Sequence, residues 1–411
     1  MAKLKVKNPL VEMEGDEMAR VLWQWVRELL VLPFVEVELQ RFDLSLANRD
    51  RTDDAVTLEA ARAARACGVS LKCSTITPDL ARQREAGLKR LYPSPNGTIR
   101  NALDGTIFRE PVICPGVPRL VPHWSQPVVI ARHAFGEQYR AKEIVVPGAG
   151  KVKLVYEPAD GGAPVEQVVH AFDGAGVALG LFNVDDSIRG FARACFNFGL
   201  QRRYPVYFSH KGTVLKQYDG RFKDIFAEVF AEFAPAYEEA GLVYEPRLID
   251  DMVAFSLKSP GGYLWACKNY DGDVQSDYMA QGYGSAGLMT SLLMSPDGSR
   301  IETETAHGTI ARHYRRHLRG EPTPTNPIAT VFAWSRALWH RARLDDTPEV
   351  MAFAQTLEQT CLDLVGDGVM TQDLAALRGA DQPHVDAQSF IRRAAAELAA
   401  RLAREPVQVS A

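Results

Sequence analysis

Apolar and polar positions near the start of the chain change their period from one segment to the next. The segment "LKVKNPLVEMEG" (4–15) alternates as a strand does, whereas "DEMARVLWQWVRELL" (16–30) has the apolar spacing of a helix. Gly15 separates the two segments as a turn. Asp16 stands at the beginning of the helix, and we predict that its side chain caps the first turn.

The same alternation of element types continues along the chain. The segments "VEVELQRFDL" (35–44) and "VSLKCSTI" (69–76) are predicted strands, and between them "TLEAARAARACG" (57–68) is a predicted helix that ends at Gly68. Strands that alternate with helices indicate an α/β fold with a largely parallel sheet.

The middle of the chain has a different pattern. The segment "KVKLVYEPADGGAPVEQVVHAF" (151–172) consists of two alternating stretches around an Asp-Gly-Gly turn, which predicts a β-hairpin. An isolated hairpin is marginally stable in water. We therefore expect the hairpin to pair with something, most simply with a second copy of itself.

The last third of the chain is predicted to be helical, in segments 327–344, 349–365 and 389–403. These helices have no strands of their own to cover, so we expect both chain ends to pack on one sheet. The predicted large domain is therefore discontinuous (1–103 and 285–411), and the rest of the chain is inserted into it. The insertion divides into a small α/β domain (104–136 and 185–284) and a clasp hairpin region (137–184).

Composition narrows the functional classes. The chain has 411 residues, 46% hydrophobic and 24% charged, with a net charge of −4, so no overall field attracts it to nucleic acid or a membrane. Six scattered cysteines lack metal-ligand spacing, and we expect reduced, mostly buried thiols. The first residues lack the apolar region of a signal peptide, and no apolar run approaches the ~18 residues of a membrane span. These features predict a cytoplasmic protein.

One glycine-rich segment imitates a dinucleotide-binding fingerprint. "GYGSAG" (282–287) fits G-x-G-x-x-G, and Glu302 follows Gly282 by 20 residues. The fingerprint requires a strand before it and a helix after it. Here the preceding segment (273–281) is helix-like and the following one (288–294) is strand-like. The order is inverted, so we predict that this segment is not a Rossmann fingerprint.

Three aspartates crowd the segment "NYDGDVQSD" (269–277), namely Asp271, Asp273 and Asp277. A turn followed by a helix cap is the simplest explanation of such a run. A calcium loop is excluded, because counting from Asp271 puts Ser276 at the position of the required glycine and Gly282 at that of the bidentate glutamate.

The spacing of two of these aspartates favours a smaller cation. On a helix, Asp273 and Asp277 are separated by one turn and share a face. Two carboxylates that point at one place repel each other unless a cation lies between them, and Mg²⁺ or Mn²⁺ suits such a site. A third carboxylate is available at Asp250 or Asp251.

Arginines accompany these acids in three polar segments: "SPNGTIRN" (94–101), "GTIFRE" (105–110) and "ARHAFGEQYR" (131–140). Each arginine alone is most simply a solvated side chain or part of a loop salt bridge. Several arginine forks beside a divalent cation, however, predict a pocket for a small polycarboxylate.

The segment "AHGTIARHYRRHLRG" (306–320) is the local basic site. An exposed helix face or a nucleic-acid patch are two explanations of its charge. The leading His-Gly-Thr favours a phosphate, since glycine allows close backbone approach at a helix start. Arg312 and His313 are then placed to bind a second, more remote phosphate.

Together these segments resemble the NADP-dependent isocitrate dehydrogenases of the homodimeric type found in eukaryotes and some bacteria. Nine motifs occur in the family's order and spacing along almost the whole chain: "ITPD", "SPNGTIRN", "FRE", "YDGRFKDIF", "LIDDMVA", "WACKNYDGDVQSD", "AQGYGS", "AHGTIARHYR" and "TNPIA". The resemblance implies an isocitrate/isopropylmalate dehydrogenase-like fold that binds NADP without a Rossmann fingerprint. It also implies a homodimer whose sites are shared between subunits.

The resemblance further implies a role for individual residues. The substrate isocitrate would be held by Thr77, Ser94, Asn96, Gly97, Arg100, Arg109 and Arg132. NADP would contact Lys72, Thr75, Thr77, Arg82, Gly308, Thr309, Ile310, Ala311, Arg312, His313 and Asn326, with Lys258 of the partner subunit. Mg²⁺ or Mn²⁺ would be bound by Asp273, Asp277 and Asp250 of the partner subunit. Tyr139 would protonate the product enolate, and Lys211 of the partner subunit would take part in proton transfer.

Three positions depart from the family pattern. Ala131 replaces a usual glycine, Phe135 a usual tyrosine, and Phe255 a usual polar residue near the adenosine. Two alternatives stay open. One is an NAD-dependent sister enzyme that oxidises isopropylmalate, tartrate or homoisocitrate, although "SPNGTIRN" (94–101) is more polar than an isopropyl group requires. The other is a non-catalytic nucleic-acid-binding protein that uses the basic segment.

Overall fold

Residues 3–404 are described by a computed structural model. The strands are β1 (Leu4–Lys5), β2 (Leu10–Glu14), β3 (Val35–Glu36), β4 (Leu39–Asp43), β5 (Val69–Lys72), β6 (Thr106–Pro111), β7 (Val128–His133), β8 (Lys142–Val146), β9 (Gly150–Tyr156), β10 (Val165–Phe172), β11 (Gly176–Gly180), β12 (Val206–His210), β13 (Tyr244–Leu248), β14 (Tyr263–Cys267), β15 (Met289–Met294) and β16 (Ile301–Thr305).

The helices are α1 (Glu17–Val26), α2 (Leu46–Arg51), α3 (Ala55–Cys67), α4 (Leu80–Ala86), α5 (Pro95–Leu103), α6 (Asp185–Arg202), α7 (Tyr218–Ala240), α8 (Ile249–Ser256), α9 (Asn269–Gly282), α10 (Ala311–Leu318), α11 (Ile328–Asp345), α12 (Pro348–Gly366), α13 (Gln372–Arg378) and α14 (Ala387–Arg404). A π-helical turn (Arg27–Val31) extends α1, and two 3₁₀ turns lie at Glu137–Arg140 and Ala286–Leu288.

A ten-stranded sheet organises the chain, in the order β13-β12-β14-β7-β6-β15-β16-β5-β2-β4. The first four strands are mutually parallel, and so are the last four. Strands β6 and β15 join the two parallel halves through antiparallel pairs. The predicted α/β class and the largely parallel sheet are therefore confirmed.

The sheet bears on the predicted division into domains without settling it. The half from β15 to β4 comes from the predicted large-domain segments, and the half from β13 to β6 comes from the predicted small-domain segments. The sheet nevertheless runs without a break across the β6–β15 seam. The division stays a prediction, and the outermost residues of the large domain, 1–2 and 405–411, lie outside the described part of the chain.

Helices cover the sheet on both faces. On one face α1, α11, α12 and α14 bury a large apolar cluster that includes the tilted ring pair Trp23–Trp334. On the other face α3 and α5 cover Val11 and Met13 of β2. Five of the six cysteines are buried and all six are free thiols, as the sequence predicted. Among the helices of residues 3–404, none is both long and apolar enough to span a membrane.

The predicted hairpin is confirmed. Strands β9 and β10 pair antiparallel from Gly150↔Phe172 to Tyr156↔Val165, and β8 pairs with β11 next to them. We call the segment from β8 to β11 (142–180) the β8–β11 ribbon. Most of its side chains are exposed, including large apolar ones such as Val145 (81%) in β8 and Val177 (75%) in β11.

Two local predictions need correction. Asp16 does precede α1, but its carboxylate accepts hydrogen bonds from the backbone amides of Leu46 and Ile76, each at 2.9 Å, and makes no cap bond to the helix. The predicted strand 35–44 is two strands, because β3 pairs with β1 whereas β4 pairs with β2, and for the same reason the segment 4–15 that alternates as a strand is divided into β1 and β2. Both errors arise from partners distant in sequence.

Helix α9 approaches strand β7 closely at one glycine. A Cβ added to Gly272 would lie 2.7 Å from the Cβ of Arg132, whereas one added to Gly220 in α7 would meet no atom within 4 Å. We predict that Gly272→Ala lowers the free energy of unfolding, because overpacking of about 1–3 kcal/mol exceeds the gain of about 0.5–1 kcal/mol in helix propensity. Gly220→Ala, the matched control, should be neutral or stabilising. Urea unfolding of both variants checks this, and equal effects would contradict it.

Candidate active site

One edge of the sheet collects polar side chains from four neighbouring strands. Strands β13, β12, β14 and β7 are parallel, so their carboxyl ends lie at the same edge, where α/β proteins usually bind ligands. Asp250 follows β13, Lys211 follows β12, Lys268 follows β14, and Arg132 lies near the end of β7. Sheet topology thus brings together residues that the sequence separates widely.

A cleft of about 420 Å³ opens beside this edge. Eight predicted site residues line it: Ser94, Asn96, Gly97, Arg100, Arg109, Arg132, Tyr139 and Asp273. Arg140, which the sequence placed among the arginines of the predicted pocket without a separate role, lines it as well. Four further lining residues were not predicted from the sequence: Asn101, Ala134, Gly136 and Asn269. The predicted substrate residue Thr77 is exposed in the loop after β5 and is not part of this lining.

Arg132 is the most deeply buried charge of the cleft, with a side chain only 4% exposed. Its Nε donates to Asn269 Oδ1 at 2.9 Å, and its Nη1 forms an ion pair with Asp273 Oδ1. Burial, and then the neighbouring Arg100, lower the pKa of Arg132 to about 10. A site in which cations depress one another in this way favours an anionic ligand.

Helix α9 carries the whole aspartate run, so the run is not a turn, although Asp271 does lie in the first turn of the helix as the dipole explanation predicted. The predicted one-turn spacing of Asp273 and Asp277 on a helix is confirmed. Asp273 Oδ2 accepts a hydrogen bond from Tyr139 Oη at 2.5 Å. Asp277 is 79% exposed and lies 3.4 Å from Arg109 Nη1. Asp271 instead faces Lys268 at 3.7 Å. The three aspartates therefore have different partners.

The carboxylates of Asp273 and Asp277 suit a divalent cation. Within residues 3–404, no group of three His, Cys, Asp or Glu side chains converges on one point. Oxygen donors at Asp273 and Asp277 are the type that Mg²⁺ and Mn²⁺ prefer, and these ions usually retain substrate oxygens and water as further ligands. The donors present therefore fit the expected metal as a partial site.

Tyr139 keeps its proton. Burial and the hydrogen bond to Asp273 raise the pKa of the Tyr139 phenol to about 12. The guanidinium of Arg132 lies 4.5 Å from the centre of its ring. The phenol is therefore a fixed hydroxyl donor at the wall of the cleft.

Glu304, which no sequence pattern identified, connects the predicted substrate and cofactor residues. Its Oε1 accepts from Arg100 Nη2 at 2.9 Å and from Ser291 Oγ at 3.1 Å, and Lys72 Nζ lies 3.7 Å from Oε2. Although burial opposes it, Arg100 and Lys72 lower the pKa of Glu304. Burial and this neighbouring carboxylate raise the pKa of Glu302. No local sequence signal identifies Glu304, because Arg100 is 204 residues away.

The predicted phosphate segment leads into α10. Ile310 adopts a left-handed conformation (φ 59°) immediately before the helix, and a Cβ added at Gly308 would meet no atom within 4 Å. The hydroxyl of Thr309 donates to Glu17, whose carboxylate also pairs with Arg82 at 2.7 Å. Open backbone at a helix start suits a phosphate.

Four other predicted cofactor residues have different surroundings. His313 Nδ1 lies 2.8 Å from Thr325 Oγ1, and burial, followed by its arginine neighbours, lowers the pKa of His313. Asn326 Nδ2 donates to Asp373 at 3.1 Å. Arg312 is exposed at the start of α10, and Lys258 is exposed after α8.

Buried polar atoms without a protein partner support ligand binding here. In the described chain they include Asn96 Oδ1 and Arg109 Nε in the cleft. Near the phosphate segment they include Thr75 Oγ1 and His307 Nε2. Because buried polar groups are normally hydrogen-bonded, these atoms fit polar ligands: the Arg109 Nε–H can donate to a carboxylate, Asn96 Oδ1 can accept from a hydroxyl, and Thr75 and His307 can bond to a dinucleotide.

Lys211 and Asp250 do not line the cleft but contact each other. Lys211 Nζ forms an ion pair with Asp250 Oδ2. The backbone amide of Lys211 donates to Asp219 Oδ2 at 2.5 Å, and Lys268 Nζ lies 2.8 Å from Asp219 Oδ1. Two residues predicted to serve the partner's site are thus neighbours within one chain.

Two of the three departures from the family pattern have a local explanation, and nothing in the structure explains the one at Ala131. Ala131 is fully buried in β7. The guanidinium of Arg140 lies 4.8 Å from the ring centre of Phe135. Arg247 lies between two aromatic rings, 4.5 Å from the centre of Phe255 and 4.1 Å from that of Tyr207. At 135 and 255 the aromatic residue therefore packs against an arginine.

Comparison with known proteins agrees with this geometry. The sequence matches the isocitrate/isopropylmalate dehydrogenase family over residues 5–392. It is 56% identical over 405 residues to an NADP isocitrate dehydrogenase of Sphingobium yanoikuyae, covering 98% of this chain and 100% of that protein.

Two eukaryotic relatives are similarly close. A peroxisomal NADP isocitrate dehydrogenase of Arabidopsis thaliana is 55% identical over 406 residues, covering 97% of each chain. A mitochondrial one of Mus musculus is 55% identical over 374 residues, covering 91% of this chain and 83% of that protein. A family match of this length, with relatives of this identity, shows that the chain belongs to the isocitrate/isopropylmalate dehydrogenase family.

Proposed function

We propose that this chain catalyses the oxidative decarboxylation of isocitrate to 2-oxoglutarate and CO₂, with reduction of NADP⁺ and dependence on Mg²⁺ or Mn²⁺. The observation that carries the proposal is the convergence of Arg100, Arg109 and Arg132 on one polar cleft beside the carboxylate of Asp273. Three arginine forks match a substrate with several carboxylates. Relatives named for this activity span nearly the whole chain.

The lining of the cleft supports isocitrate over an isopropyl-bearing substrate. Ser94, Asn96 and Asn101 add neutral hydrogen-bonding groups to the arginines, and Ala134 and Gly136 are the only members of the lining without a polar side chain besides Gly97. An isopropyl group placed there would desolvate polar groups without giving them a partner. The basic segment does not favour a nucleic-acid site either, because Arg316 and Arg319 both pair with Glu321.

Each residue near the reacting carbons has a chemical task in this proposal. The arginines fix the carboxylates, which aligns the C2–H bond with the bound cofactor. Tyr139 holds a proton at its Oη, and after CO₂ has left it donates that proton to the substrate carbon. Lys211 of the partner subunit takes part in moving the proton of the C2 hydroxyl. Asp273 and Asp277 would hold the cation together with Asp250 of the partner subunit.

The two cofactors supply what the side chains lack. A divalent cation bound at α9 would supply positive charge that stabilises negative charge developing on the substrate. Bound NADP⁺ would supply the hydride acceptor. The open backbone at Gly308 and Thr309 would receive a phosphate, with Arg312 and His313 available for the 2′-phosphate. Lys72, Thr75, Thr77, Arg82, Ile310, Ala311 and Asn326, with Lys258 of the partner subunit, complete the proposed contacts.

The active form in this proposal is a homodimer. The exposed apolar side chains of the β8–β11 ribbon, Val145 and Val177 among them, are of the kind that marks an interface. The outer edges of its strand pairs are also free to pair with a second copy. A cytoplasmic location stays a prediction, since relatives with organelle names are equally similar.

Purified protein tests the proposed reaction directly. We expect isocitrate and Mn²⁺ to support rapid reduction of NADP⁺, with much slower reduction of NAD⁺. Excess EDTA should abolish the activity, and isopropylmalate should not replace isocitrate. Activity that persists in EDTA after metal removal, or a preference for isopropylmalate, would contradict the proposal.

The aspartate run distinguishes metal ligation from a structural role. We predict that Asp273→Asn and Asp277→Asn raise the Mn²⁺ concentration needed for half-maximal activity and lower turnover by orders of magnitude at limiting metal. Asp271→Asn, the control from the same helix, should leave the metal requirement unchanged because Asp271 faces Lys268. Titration of activity with Mn²⁺ measures the effect. Equal metal requirements in all three variants would remove the metal site from α9.

Asp273→Asn should also lower metal-free stability rather than raise it. The substitution relieves repulsion from Asp277 but leaves the buried Arg132 without its ion-pair partner. Loss of the ion pair is the larger effect, although it should cost less than the about 3–5 kcal/mol of a fully buried pair because the Asp273 side chain is 38% exposed. Thermal unfolding without metal measures this.

Shared sites predict complementation between inactive subunits. Lys211→Ala should inactivate the partner's site, whereas Asp273→Asn should inactivate the subunit's own site. Heterodimers of these two variants, isolated with two different affinity tags, should regain activity because one of their composite sites is intact. Heterodimers that stay as inactive as the parent homodimers would show that Lys211 does not act across the interface.

A further inference from the structure

We propose that Asp219 is a positioning residue that orients Lys211 for catalysis in the partner's active site. The inference rests on the proposed sharing of sites between subunits. Asp219 is fully buried, belongs to neither the cleft nor the cofactor residues, and has a charged or polar partner on each carboxylate oxygen.

The first contact fixes the backbone of Lys211. Asp219 Oδ2 accepts a hydrogen bond from the Lys211 amide at 2.5 Å. The Lys211 carbonyl in turn accepts from the amides of Val214 and Leu215, each at 2.9 Å. The Asp219 amide donates to the Leu215 carbonyl at 3.0 Å. The turn after β12 and the start of α7 therefore form one closed unit around Asp219.

This closed unit determines where the Lys211 side chain begins. The side chain of Lys211 is about one-third exposed, and the residue to which its ammonium is paired is Asp250. Because the side chain is long and flexible, the position of its ammonium depends on a fixed backbone. The buried Asp219 carboxylate fixes the Lys211 backbone through its amide and leaves the ammonium group available for other partners.

The second contact reaches the subunit's own site. Lys268 Nζ lies 2.8 Å from Asp219 Oδ1, and the Lys268 carbonyl accepts from the Gly272 amide at 2.8 Å in the first turn of α9. That helix carries Asp273. Asp219 is thus connected both to Lys211, which is proposed to act in the partner's site, and through Lys268 to helix α9, which belongs to its own site. An experiment has to distinguish an effect through Lys211 from an effect through α9.

Heterodimers separate them. Asp219→Asn keeps the shape and removes the charge, and we expect the homodimer to lose about 10²-fold in kcat, the scale of a misplaced catalytic group, with little change in KM for isocitrate. Asp224→Asn, at an exposed position of the same helix α7, is the matched control and should behave as wild type.

The two informative heterodimers have opposite expected results. The first combines an Asp219→Asn subunit with an Asp273→Asn subunit. Its one intact site takes Asp273 from the Asp219→Asn subunit and Lys211 from the other, so its activity should equal that of the Lys211→Ala and Asp273→Asn heterodimer. The second combines an Asp219→Asn subunit with a Lys211→Ala subunit. It should stay impaired, because each of its two sites receives from the partner either a misplaced Lys211 or the alanine that replaces it. The reverse pattern would mean that Asp219 acts through α9 and would overturn the proposal.

The remaining outcomes are also decisive. Impairment in both heterodimers, with normal dimer assembly and melting temperature, would overturn action through Lys211 alone. An inactive Lys211→Ala and Asp273→Asn heterodimer would overturn the shared site and this inference with it, while leaving the proposed reaction intact. If Asp219→Asn subunits do not fold, Asp219→Glu, which keeps the charge but displaces the carboxylate, goes through the same two heterodimers with the same expected results.

Discussion

The burial of one guanidinium determines much of the site. Arg132 is almost completely enclosed, and a buried charge destabilises a fold unless it is paired and hydrogen-bonded. Helix α9 supplies both partners, Asn269 and Asp273. It can do so because Gly272 lets the helix backbone approach β7 without a Cβ in between. The position of α9, and with it the direction of Asp273, therefore follows from the need to neutralise Arg132.

The same charge also determines what the cleft binds. Arg100 is paired with Glu304 and Arg132 with Asp273. Arg109 is held less tightly: its Nη1 lies 3.2 Å from Ser276 Oγ and 3.4 Å from the exposed Asp277, and its Nε has no partner in the described chain. The site therefore keeps donors for a ligand while its arginines remain fixed. Some arginine atoms are thus held by internal ion pairs while others remain available as donors, which is consistent with a polyanionic substrate. If every arginine were fully paired within the protein, no donors would remain for the substrate, and if none were paired, their positions would not be fixed.

What the sequence predicted correctly depends on short-range order. The helix end at Gly68, the inverted order around the glycine-rich segment and the shared face of Asp273 and Asp277 all follow from neighbours within a few positions. What it missed depends on distant partners. Asp16 bonds two amides 30 and 60 residues away, and Glu304 meets Arg100 across the sheet. Asp16 and Glu304 accept hydrogen bonds from groups that are distant in sequence. No local pattern identifies such partners, so these roles become visible only in the folded structure.

The order of parallel strands explains why residues proposed for two different sites lie side by side. The ends of β13 and β12 carry Asp250 and Lys211, and the end of β14, next to them, begins the helix that carries Asp273. If a two-fold axis lies beside this edge, each chain would contribute Asp250 and Lys211 to its partner's site and keep Asp273 in its own site. In such a symmetric interface every contact is made twice. The apolar side chains of the β8–β11 ribbon are exposed in the single chain, which is a separate reason to expect a partner. One association would satisfy both needs, so the energy that assembles the dimer and the chemistry that completes its sites would depend on the same contact.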